Sequence, residues 1–271
     1  MKRKGFTLVE LLVVIAVIAL LMSILMPVLR KAKDQAMRIL CGNNLKNLTF
    51  SLTMCADKDN NKLPPGGGYW PWDISWPVAY NMVKNMGADV SSITIPTGNP
   101  STYLPLEYSS HFYCPANVTQ KRLRRDYWFF TTSYHNAGYG FLMKAPWNSN
   151  GNTPITGAGT DGLTADTSKK WIDRIDVDQA SSRELVVDAT LSKMIDSVKF
   201  PYGNFEVVHT SCNPSDGTAV NRTNHTNSDS KCPGGNIGFV DNHVEWRPFT
   251  EMKHRYTVGS CSDSFKIFWW W

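Results

Sequence analysis

Apolar and polar positions follow three successive patterns along this chain. From Leu11 to Leu29, nineteen residues pass without a charge. With Phe6 to Glu10 included the stretch has 24 residues, and as a helix it reaches about 36 Å, enough to cross a hydrocarbon core of about 30 Å. Past Pro27 the pattern becomes amphipathic. Leu29, Ala32, Ala36, Leu40, Leu48, Leu52 and Cys55 recur at steps of three or four or their multiples, with Arg30, Lys33, Asp34, Arg38, Asn43 and Lys46 between them. Gly42 weakens such a helix by about 1 kcal/mol relative to Ala without breaking it. The run Asp57-Lys58-Asp59-Asn60-Asn61, followed by Pro64-Pro65-Gly66-Gly67-Gly68, ends it. The expectation is one helix from Phe6 to about Ala56, its first half in lipid and the apolar stripe of its second half packed on a head.

From about Lys58 onward the pattern is short apolar runs and long polar loops. Glu184 to Ala189 has the look of a strand. Ile237 to Val240 and His243 to Trp246 flank Asp241-Asn242, which predicts a hairpin with a two-residue type I′ turn. The tracts 148–168 and 210–230 are rich in Gly, Asn, Ser and Thr and predict surface loops. The ending Phe265-Lys266-Ile267-Phe268-Trp269-Trp270-Trp271 predicts a packed final strand.

Composition narrows the classes. Of 271 residues 42% are hydrophobic, so a sizeable core is available. The net charge is +5, but Lys2, Arg3 and Lys4 supply three of the 28 positive residues; the remaining 25 against 23 acids leave +2. That offers no electrostatic case for nucleic acid. A mean hydropathy of −0.28 excludes a polytopic membrane protein. The basic cluster at the N-terminus favours a cytoplasmic start, although Arg30, Lys31 and Lys33 at the far end oppose that orientation.

The apolar stretch is longer than a secretory signal's core and has no small-x-small cleavage site after it. It also carries an acid, Glu10, where lipid penalises one. Lys2-Arg3-Lys4-Gly5-Phe6-Thr7-Leu8-Val9-Glu10 followed by an apolar run resembles the type IV prepilin signal. The resemblance implies cleavage by a prepilin peptidase at Gly5|Phe6 and methylation of the new Phe6 amine. It also assigns Glu10 as the acid that meets that amine on a neighbouring subunit, and Pro27 as the helix-bending proline. A head-to-tail contact of this kind, repeated without closing, generates a filament.

Cys41-Gly42-Asn43-Asn44-Leu45-Lys46-Asn47-Leu48, ending at Ala56-Asp57, also resembles a large bacterial family of pseudopilin-like proteins. So do Phe112 to Ala116, Ser133 to Gly140, Glu184 to Ala189 and Gly234 to Val244. In that family a histidine stands about ten residues before a closing Asp-Gly turn. Here the turn is Asp241-Asn242 and His225 lies sixteen residues upstream, so a relative's histidine role does not transfer to it.

Six cysteines in a domain expected outside the cytoplasm suggest disulfides, with fifteen possible connectivities. Cys41 and Cys55 are fourteen residues apart on one helix, about 21 Å, so they do not pair with each other. The expected assignment is Cys41 with Cys114, Cys55 with Cys261, and Cys212 with Cys232. No C-x-x-C or tight Cys/His spacing points to zinc, so no metal site is expected. Asp188, His209, His225 and Asp241-x-His243 are read as turn and loop polarity. The loop from Gly157 to Gly162, with Asp161 and Asp166, offers too few carboxylates to make calcium more than a minor alternative. Trp70, Trp72 and Trp76 are expected in core or subunit packing, with a glycan-stacking platform as the rival.

The fold class is therefore α+β and pilin-like: a leader at 1–5, a transmembrane half-helix at 6–29, a soluble half-helix at 30–57 and a β-rich extracytoplasmic head at 58–271. The expected function is structural, a pilin-like or type II secretion pseudopilin subunit. Its partners would be the prepilin peptidase, other such subunits and the inner membrane, with no nucleic acid. The alternative is an anchored carbohydrate-binding protein. No nucleophile–base or metal motif supports an enzyme.

Overall fold

Thr7 begins the first helix in a computed structural model that describes residues 7–67, 71–91, 93, 104, 106–117, 128–129, 134–144, 171–194, 223–226, 231–258 and 266–270. Its extended backbone (φ −85°, ψ 149°) leaves Oγ1 free to accept the Glu10 N–H at 3.3 Å. The Glu10 carboxylate in turn accepts from the Thr7 N–H and hydroxyl, both at 2.8 Å, completing a capping box. Helix α1 then runs Leu8–Asp57, 50 residues and about 75 Å, and continues through Pro27. It stops where Asn60 and Asn61 take positive φ (50° and 63°), and the Asn61 N–H donates to the Ala56 carbonyl at 2.9 Å.

The helix divides sharply by burial. From Leu8 to Leu29 its apolar side chains are exposed, and it is long and apolar enough to cross a membrane with none of that segment buried. Burial begins at Cys41 and follows Leu45, Leu48, Leu52 and Ala56 at three- and four-residue steps. The stripe expected from sequence is thus partly out of phase. Leu29 and Leu40 are exposed and Cys55 is half-buried, whereas Cys41, Leu45 and Ala56 face the head. Thr49, Ser51 and Thr53 are also buried, each hydroxyl donating to the carbonyl three residues back (Lys46, Leu48 and Phe50, 2.8–2.9 Å).

The head consists of short strands around a second helix: β1 Asp73–Ser75, α2 Trp76–Asn85, β2 Tyr134–Asn136, β3 Tyr139–Phe141, β4 Glu184–Asp188, β5 Leu191–Met194, β6 Gly234–Phe239, β7 Val244–Pro248, β8 His254–Val258 and β9 Lys266–Trp270. These strands pair antiparallel throughout: β1 with β2, a four-stranded sheet in the order β3-β4-β6-β7, and a three-stranded sheet in the order β5-β9-β8. The buried face of α1 lies on β6 and β4, with α2 beside it. Gly42 explains itself here, since a Cβ at that position would come within 3.3 Å of Asn236 Oδ1 on β6. The α+β class expected from sequence is the one observed, including the final strand β9.

The β6–β7 hairpin differs from expectation in its turn. Only Asn242 has positive φ (69°), so the turn is not type I′, which needs two such residues. The Asn242 N–H donates to the Phe239 carbonyl and the Phe239 N–H to the His243 carbonyl, at 2.9 and 3.0 Å. This is a three-residue loop, Val240-Asp241-Asn242, with asparagine in the left-handed position that closes it.

Candidate functional site

Among the described residues, two places carry chemistry beyond packing. The first is the start of α1. Glu10 is not unpartnered within its own chain, because Thr7 supplies it with two hydrogen bonds. Sequence reasoning placed the Phe6 amine as its partner; Gly5 and Phe6 lie outside the described residues. Beyond them the apolar face of α1 stands free to Leu29, with Pro27 within it.

The second place is buried between α1 and the four-stranded sheet. Cys41 comes from the first buried turn of α1, Cys114 follows the 3-10 helix Leu106–Phe112, Asp188 ends β4, and His225 sits in the loop before β6. His225 holds a positive φ of 56°, a conformation that costs a non-glycine residue free energy and needs surrounding structure to hold it. The Cys41 thiol donates to Asp188, at 3.1 Å from Oδ1 and 3.4 Å from Oδ2. His225 Nε2 lies 3.1 Å from Asp188 Oδ2 and 3.5 Å from Cys114 Sγ. One ligand-type atom from each residue falls within 4.8 Å of the other three, and all four residues are buried.

A shell of polar groups holds this set. Asp188 Oδ2 accepts from the Asn236 N–H at 2.7 Å and from its side-chain amide at 3.0 Å, while Oδ1 accepts from the Asn224 amide at 2.8 Å. The Tyr139 hydroxyl lies 3.4 Å from Cys41 Sγ. The Trp246 ring meets His225 edge-on with centroids 5.1 Å apart, and Arg38 covers Trp246 at 4.3 Å. Burial pushes Asp188 upward, but the charge and hydrogen bond of His225 outweigh it and hold the carboxyl below its ordinary value. Burial pushes His225 downward, yet Asp188 lifts it to about 10. Burial raises both thiols, Cys41 well above the ordinary value. These shifts favour a carboxylate–imidazolium pair beside two neutral thiols.

The structure redistributes the residues singled out from sequence. Cys41 and Cys114 meet, but as free thiols and not as the expected disulfide; Cys55 and Cys232 are free as well. Cys212 and Cys261, the expected partners of Cys232 and Cys55, lie outside the described residues, as do His209, Asp161 and Asp166. Asp188 and His225, read from sequence as loop polarity, are instead nearly inaccessible and bonded to each other. Asp241 and His243 do form only an exposed turn pair, 2.5 Å apart. Trp72 is 1% exposed, which removes it from any open glycan platform; Trp76 is half-buried at the start of α2, and Trp70 lies outside the described residues.

Residues 1–26 match the family described as the prokaryotic N-terminal methylation motif. The chain has no match among the curated proteins or among the solved structures. The motif implies processing by a prepilin peptidase and, with the long apolar helix behind it, is consistent with a type IV pilin-like protein.

Proposed function

We propose that the chain is a pilin-like or pseudopilin structural subunit, held in the inner membrane by the first half of α1 with its head outside the cytoplasm. Prepilin peptidase cuts at Gly5|Phe6 and methylates Phe6, and subunits then stack by their apolar half-helices into a filament. The observation that carries this reading is the division of α1: an apolar half left exposed by the described residues joins, without a break, a half that is core to the head. An exposed apolar face of that length needs lipid before assembly and neighbouring helices after it. The protein is a substrate of an enzyme and performs no catalysis itself.

Assembly places Glu10 in a low-dielectric setting, where an acid requires partners. The capping box supplies them inside one subunit, and a cationic Phe6 amine of a neighbour would replace or join Thr7. The carbohydrate-binding alternative loses support because Trp72 is in the core. Mass spectrometry of the cell-derived N-terminus tests the proposal. A chain beginning at N-methylated Phe6 supports it. A chain beginning at Met1, in cells that process other prepilins, overturns it and leaves a tethered head.

A further inference from the structure

Cys41, Cys114, Asp188 and His225 span 184 positions of the sequence, from Cys41 to His225, yet they converge on one buried point. We infer that this point is a zinc site, closed and structural, which fastens the soluble half of α1 to the head. Zinc bound tetrahedrally at about 2.0–2.3 Å from nitrogen, oxygen and sulfur sets its ligand atoms roughly 3.3–3.8 Å apart. With Asp188 Oδ2 as the shared vertex, Cys41 Sγ and His225 Nε2 lie 3.4 and 3.1 Å from it, and Cys114 Sγ lies 3.5 Å from His225 Nε2. These three edges need adjustments of a few tenths of an ångström, and the other three, all within 4.8 Å, close by at most about 1.5 Å to complete the tetrahedron.

The donor set selects the metal. Two sulfurs, one imidazole and one carboxylate suit zinc. Calcium and magnesium take oxygen ligands, and copper(I) favours soft ligands over a carboxylate. Four protein ligands with no access from solvent describe a structural site, since a catalytic one keeps a coordination position open. The surrounding shell is the kind that metal ligands require. Both Asn236 donors and the Asn224 amide fix the Asp188 carboxylate, Asn224 is itself placed by the nearby backbone (2.9 Å to the Gly138 carbonyl), and Tyr139 can donate to the Cys41 sulfur.

Binding is balanced by proton release. Zinc displaces the thiol protons of Cys41 and Cys114 and the Nε2 proton of His225, all three passing to solvent. The ion is left among two thiolates, a neutral imidazole and a carboxylate. No oxidant is consumed. The competing fate of the same thiols, a Cys41–Cys114 disulfide, requires one and leaves two ligands too few.

The full-length chain, extracted in detergent and kept reduced, gives the test. Elemental analysis after dialysis should find one zinc per chain. Replacement by cobalt(II) should produce thiolate-to-cobalt charge-transfer absorption and the intense visible bands of a tetrahedral site, a readout that needs no mutant to fold. Cys114→Ser should abolish the charge-transfer pattern of two thiolates, Cys55→Ser should leave it intact, and Asn236→Ala should weaken zinc about 10–100-fold. Wild-type protein that takes up neither zinc nor cobalt at this site overturns the inference. So does a Cys41–Cys114 disulfide in peptide maps of the protein taken directly from cells.

Discussion

Gly238 on β6 lies directly against Thr49 on α1: a Cβ added to the glycine would stand 2.6 Å from Thr49 Cγ2. Helix and sheet approach so closely there that only hydrogen fits. Gly238→Ala should therefore destabilise the head by about 1–3 kcal/mol, the range for overpacking a filled core. Thr49→Ser removes the opposing methyl but keeps the hydroxyl that bonds the Lys46 carbonyl. Combined with Gly238→Ala it should recover much of the loss. Denaturant titration of the four variants gives the coupling, and simple additivity would show that the two residues do not contact one another.

Leu48 and Leu40 separate the two sides of α1. Leu48 is fully buried, and Leu40 is 50% exposed. Leu48→Ala should cost about 2–5 kcal/mol of head stability. Leu40→Ala in detergent monomers should stay within about 0.5 kcal/mol. Comparable losses at both positions would show that the helix face is assigned wrongly.

The head should weaken in mild acid because of His135. Its ring stacks on Trp128 with centroids 3.9 Å apart and 3° between planes, and Nδ1 meets the Trp128 carbonyl at 2.6 Å while Nε2 has no hydrogen-bond partner among the described residues. Burial lowers its pKa to about 4 despite that carbonyl. The unfolded chain, with an imidazole near 6.5, binds the proton first, so stability falls as pH drops from about 6.5 to about 4 and levels off below. The loss from this group is about 3 kcal/mol. Unfolding measured across that window should be steeper for wild type than for His135→Asn. Parallel pH curves for the two proteins would remove His135 as the cause.

Glu10→Ala should still be processed at Gly5|Phe6, because the peptidase reads the leader, but should assemble poorly. In the isolated subunit the change removes one partner of the capping box and costs about 1 kcal/mol of helix start. Polymer sheared from cells is the measurement. Wild-type amounts from the variant would dissociate Glu10 from subunit register.

Much of this was legible in the sequence where the signal is local. The ends of α1, the strand at Glu184–Asp188 and the β6–β7 hairpin all follow from runs and stop signals within a few residues. The phase of the buried stripe did not follow, because Thr49, Ser51 and Thr53 lie inside it and satisfy their hydroxyls on the helix backbone. Polar letters concealed a buried face. The buried cluster was less legible still: Asp188 and His225 are 37 residues apart, Cys114 and His225 are 111 apart, and no spacing rule spans such gaps. What did mark the place was Asp188 directly after the apolar run Leu185-Val186-Val187, an acid in a setting that demands partners.

Strand β9 lies between β5 and β8 although it follows both in the chain. While the polypeptide is being made, β5 and β8 therefore emerge as two unpaired edges with a gap between them. They wait until Lys266–Trp270 is available to fill it. Closure is late and long-range, the slow kind of step that leaves open strands prone to wrong partners. Under the anchoring proposed above, α1 is synthesised first and would hold such waiting chains at a surface. Tethering would keep their neighbours near but limit how they can meet, so the membrane would act on this head as a folding environment before it served as a platform for assembly.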